Sequence, residues 1–67
     1  MRDTRQAIRE MMFSRYDHGV IDRQTWLRAD GMAEACAIEF GPEVPDTDKV
    51  LGEVSAWLLA QLYEKVK

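Results

Sequence analysis

Two side chains in this sequence have the chemistry to act on a substrate or a metal: His18 and Cys36, the sole histidine and the sole cysteine among 67 residues. His18 follows Asp17 and precedes Asp22 by four positions, an arrangement in which a carboxylate can tune an imidazole as a base or a ligand. The same position falls at the C-terminal end of a predicted helix, where the ring can cap carbonyls and favour the helix dipole. Capping is the stronger account. Cys36 would need a lowered pKa and solvent access to act as a nucleophile, yet its neighbours on a helical wheel are Ala29, Met32, Ala33 and Phe40. It reads as a small buried hydrophobe.

The remaining chemical motifs fail on spacing. One Cys and one His supply neither an intramolecular disulfide nor a tetrahedral zinc set. Ser14, Thr25 and Ser55 have no histidine at a spacing that would activate them. The glycines Gly19, Gly31, Gly41 and Gly52 are isolated and form no phosphate-binding loop. Asp46-Thr47-Asp48 has the opening of a calcium loop, but Leu51 stands where that loop needs glycine, so the segment reads as a helix cap with acids favouring the dipole. The expectation is a protein with no catalytic residue, cofactor, metal or small-molecule substrate.

Charge is the feature that survives. Residues 1–28 hold six Arg and four acids, net +2, whereas residues 29–67 hold three Lys and eight acids, net −5. Arg2, Arg5 and Arg9 fall along one side of the first helix, and the arginine fork suits phosphate or carboxylate. A DNA-binding reading arises from this and meets two objections. The sequence pI is about 5.0, with six acids and no base between residues 29 and 48, which repels DNA except along one edge. The turn at Gly19-Val20 also makes a poor helix–turn–helix motif, because Arg15 occupies the place of its small packed residue and the next helix presents Trp26 and an Ala-rich stripe. Pairing of the arginines with acids of another helix explains the asymmetry more simply.

Three helical segments must position these side chains, at about 4–18, 23–40 and 47–66. The first break, His18-Gly19-Val20-Ile21-Asp22, carries a left-handed C′ glycine, an N-cap aspartate, and Ile21 and Trp26 at the two positions of a hydrophobic staple. The second, residues 41–47, contains Pro42 and Pro45, which disfavour helix on their N-terminal sides, with Asp46 or Thr47 placed to cap the third helix. No segment has the period of a strand. The first helix gathers Ala7, Ile8, Met11, Met12 and Tyr16 on one face with Phe13 to the side. The second shows a stripe from Trp26 through Ala29, Met32, Ala33, Cys36 and Ala37 to Phe40. Leu27 and Ile38 point nearly the opposite way, about 160° round the wheel. The third spreads Val50, Leu51, Val54, Trp57, Leu58, Leu59, Leu62 and Val66 over an arc of roughly 180°, wider than one neighbour covers.

These elements read as one all-α domain of residues 1–67, a helical hairpin plus a third helix. A single small core is thin at this length, and small scaffolds usually need a staple. With disulfide and zinc unavailable, the surplus apolar sides predict a homodimer, with Leu27, Ile38, Leu51, Val54, Leu58 and Leu62 as the self-association positions. Arg2, Arg5, Arg9 and Phe13 are the expected partner-binding surface, since Arg and aromatic residues anchor interfaces. The functional expectation is a non-catalytic interaction module, an accessory or inhibitory regulator of a larger protein. The alternative is a small DNA-binding regulator that uses the Arg-rich first helix. A charged N-terminus with no apolar run behind it, and no membrane-length segment, set the expected location as the cytoplasm.

Overall fold

The computed structural model describes residues 1–63, and the order of elements is β1 (Arg2–Asp3), α1 (Thr4–Asp17), α2 (Arg23–Trp26), α3 (Ala29–Phe40), β2 (Glu43–Val44) and α4 (Asp48–Tyr63). Helix dominates, as the periodicity predicts. Val66 and the expected helix end at residue 66 lie outside the described residues. No helix among the described residues is long and apolar enough to cross a membrane.

α1 begins at Asp3, whose side chain accepts the Gln6 N–H at 3.1 Å, a normal N-cap arrangement. It ends in a Schellman motif. The Gly19 N–H donates to Tyr16 O at 3.1 Å and the Val20 N–H to Arg15 O at 2.8 Å, with Gly19 at φ 75°; these bonds occupy carbonyls that a helix end otherwise leaves unpaired. Asp22 then caps α2 by accepting the Thr25 N–H at 2.8 Å. At the other break, Thr47 Oγ1 accepts the Val50 N–H at 3.3 Å and caps α4.

Two expectations are corrected. The helix expected over 23–40 is broken at Leu27 and Arg28: the Arg28 N–H bonds three residues back to Thr25 O, and Arg28 stands at φ −85°, ψ 4°. The reason is packing. Ala33 and Ala37 are buried on α3, which packs mainly against α1, and two turns before Ala33 the bulkier Trp26 needs more room than an alanine does. The break lets Trp26 slide over the end of α3 and stack on Tyr16, ring centroids 4.8 Å apart and planes 12° from parallel.

The second correction is a strand pair in a chain read as having none. Arg2 and Asp3 pair antiparallel with Val44 and Glu43. Val44 precedes Pro45, which favours extended backbone, and Gly41 ends α3 at φ 94°. Thr4 locks the junction: its N–H donates to Pro42 O at 3.0 Å and its Oγ1 to Gly41 O at 2.7 Å, with the side chain fully buried.

The core lies where α1, α3 and α4 meet, filled by Ile8 and Met12 from α1, Ala33 and Cys36 from α3, and Val54 and Leu58 from α4, all 0% exposed. Val44 of β2 closes one end. α1 packs chiefly against α3, and α4 rests on both.

Candidate functional site

Phe13 is turned away from the buried arc of α1 and remains 52% exposed. It meets the edge of Trp26, centroids 6.5 Å apart at 61°, an orientation favoured by the ring quadrupoles. Because Trp26 also stacks on Tyr16, three aromatic rings run from α1 to the end of α2. Leu27, next in sequence and 61% exposed, extends the apolar floor. Arg9, Ala29 and Asp30 complete an open groove of about 280 Å³. The Arg9 guanidinium holds the Asp30 carboxylate at 2.9 Å on its rim.

The groove joins residues that the sequence assigned to separate tasks. The sequence assigns Phe13 and Arg9 to a partner, Leu27 to a second copy and Trp26 to the core, and the contribution of Trp26 here arises from the helix break. The staple pattern at Ile21 and Trp26 was the available signal: it places the indole at the entrance of a helix rather than along its stripe.

The arginines of α1 are engaged within the chain. Arg5 grips Glu34 of α3 with two bonds, 2.8 and 3.2 Å. That grip lowers the Glu34 carboxyl pKa and raises that of Arg5, hydrogen bonding first and charge second. Arg2 contacts Glu10 at 2.9 Å and Asp46 at 3.4 Å. These pairs lie in solvent, where screening and side-chain entropy leave each worth little. Arg2–Asp46, Arg5–Glu34 and Arg9–Asp30 join the basic first half to the acidic second.

The six positions expected to self-associate divide by burial. Val54 and Leu58 are enclosed by the chain itself, and Leu51 and Leu62 are half-buried against the same core. Val54 and Leu58 therefore offer no surface to a second chain in this conformation, whereas Leu27 and Ile38, 61% and 84% exposed, do.

Of the two chemically capable residues, His18 is exposed and tied to its own helix, and Cys36 is buried. Nδ1 of His18 lies 2.7 Å from Ser14 O and donates to it. Burial of Cys36 pushes its thiol up to about 11, with Glu39 adding a smaller electrostatic effect. Among the described residues no group of three or more His, Cys, Asp or Glu is placed to hold a metal ion.

Comparison with protein-family models, curated proteins and solved structures finds no match to this chain.

Proposed function

We propose that this protein is a non-catalytic interaction module that regulates a larger protein by binding it, acting in the cytoplasm as a helical homodimer. The observation that carries the reading is the groove between α1 and the α2–α3 junction, where Phe13, Trp26 and Leu27 form an apolar floor beside the Arg9–Asp30 pair. Exposed aromatic side chains next to Arg are the usual anchors of protein interfaces. A groove of about 280 Å³ accepts one or two apolar side chains of a partner rather than a whole small substrate.

The DNA-binding alternative has less support. Arg2, Arg5 and Arg9 each have a carboxylate within 2.9 Å, so phosphates would have to displace acids fixed on the same chain. Salt separates the two readings: DNA affinity falls steeply as salt rises because counterions are released, whereas an apolar groove is much less sensitive.

The test is a tagged pull-down after nuclease treatment, comparing the natural chain with Phe13→Glu and identifying captured proteins by mass spectrometry. A protein retained by the natural chain and lost with Phe13→Glu supports the proposal. Equal recovery on both baits, or recovery that nuclease abolishes, overturns it.

A further inference from the structure

We propose that a second copy of this chain lies antiparallel along the outer side of α3, in a two-fold register centred near Ala33. This register sets Leu27 against Ile38, Gly31 against Ala35 and Arg28 against Glu39 of the other copy. The inference rests on the self-association reading above and specifies its face and register.

α3 turns Met32, Ala33, Cys36 and Ala37 inward, and its opposite side presents Gly31, Ala35 and Ile38 to solvent. Ile38, at 84%, is the most exposed large apolar residue described. Arg28, the N-cap of α3, adjoins this side, because its carbonyl accepts the Met32 N–H at 3.0 Å, and Leu27 precedes it across the helix break at φ −64°, ψ −13°. Among the described residues, a Cβ built at Gly31 meets nothing within 4 Å, and its φ is not positive. Glycine in mid-helix weakens the helix relative to alanine. Close approach of another backbone gives the residue a purpose, and facing Gly31 and Ala35 would let two helix axes come to about 8 Å, the near end of the usual range.

The charges fit the same register. A two-fold axis that sets two helices antiparallel brings like flanks together, so the Leu27 and Ile38 flank meets its own copy and the Arg28 and Glu39 flank meets its own. Leu27 then lies on Ile38 twice, and Arg28 on Glu39 twice. That opposite-charge match matters because each chain carries net −3, and two copies otherwise repel. The outer side of α4 is also apolar through Gly52, Ala56, Leu59 and Tyr63. Among the described residues its charges, Asp48, Lys49 and Glu53, sit in the N-terminal half, so an antiparallel copy would meet Lys49 and Glu53 with Tyr63 and Leu59 rather than with opposite charge. Copies joined along α3 cover Leu27 at the edge of the groove, so the larger partner meets Phe13 and Trp26.

Light scattering on a sizing column and sedimentation over a range of concentrations test the register. The natural chain runs as a dimer, and Ile38→Asp shifts it to monomer with an unchanged helical circular dichroism spectrum. Arg28→Glu alone and Glu39→Arg alone each weaken self-association roughly tenfold or more, since like charges then face one another twice. Mixing those two variants restores a dimer, because every flank contact between them is of opposite sign. A natural chain that stays monomeric at about 100 μM, a concentration far above the dissociation constant of a specific interface, overturns the self-association reading and the register with it. A dimer that ignores Ile38→Asp and both charge variants yet dissociates with Leu59→Glu keeps self-association and overturns the α3 register.

Discussion

A lone imidazole beside a carboxylate invites a catalytic reading, and at His18 a carbonyl accounts for it: Nδ1 donates to Ser14 O at 2.7 Å, one helical turn back. Cys36 is settled by burial, which raises its thiol pKa to about 11 and withholds the reactive thiolate at neutral pH. An alkylating reagent followed by intact mass is expected to leave the folded protein unlabelled for hours and to label it within minutes in denaturant; rapid labelling without denaturant would contradict the burial. Two carboxylates carry a pH dependence. Glu34 is held below the ordinary 4.5 by Arg5, and Asp22 below the ordinary 3.8 by hydrogen bonds from Thr25. Both pKa values are lowered by folding, so the unfolded chain binds more protons across that window and stability increases with pH through it. Their contribution is present well above pH 4.5 and is lost as pH falls through the folded values. Thermal unfolding followed from pH 7 to pH 2 should show the midpoint dropping at the acid end, and Glu34→Gln should reduce the drop.

Local bonds made the turn at residues 18–22 legible in the sequence: the glycine, the Asp22 cap and the positions of the staple all act within a few residues. The strand pair was not legible, because it joins Arg2 to Val44 across most of the chain and consists of two residues on each side, too few to show a period. The break at Leu27 and Arg28 was hidden for another reason. It goes with the stacking of Trp26 on Tyr16, a tertiary contact that a helix-compatible sequence does not display. Thr4 tests the strand junction. Replacing it with Val keeps its shape and removes the 2.7 Å bond to Gly41 O, a partly buried carbonyl; losing that bond is expected to cost about 1 kcal/mol, read from the urea midpoint. Gly31→Ala makes a two-sided prediction. With nothing near the added Cβ, the monomer should gain about 1 kcal/mol in stability at high dilution, while self-association weakens as the α3 surfaces are pushed apart.

The three helices needed to build the core were visible as apolar stripes, but which side of a wide stripe faces inward is decided only when the helices pack. Thus Val54 and Leu58 vanish into the interior while Leu27 and Ile38 remain outside. Leu58→Asp puts a carboxylate where no water reaches and should unfold a chain whose total stability is only about 3–10 kcal/mol. Ile38→Asp should leave the same circular dichroism spectrum intact. Phe13 was legible as a surface aromatic, but its groove was not, because Trp26 and Leu27 reach it through the helix break. The function proposed depends on that groove more than on any other feature. The most direct measurement is the nuclease-treated pull-down with the natural chain and with Phe13→Glu, both verified by circular dichroism to be folded. A protein recovered with the first and absent with the second is the predicted result; equal recovery with both would contradict it.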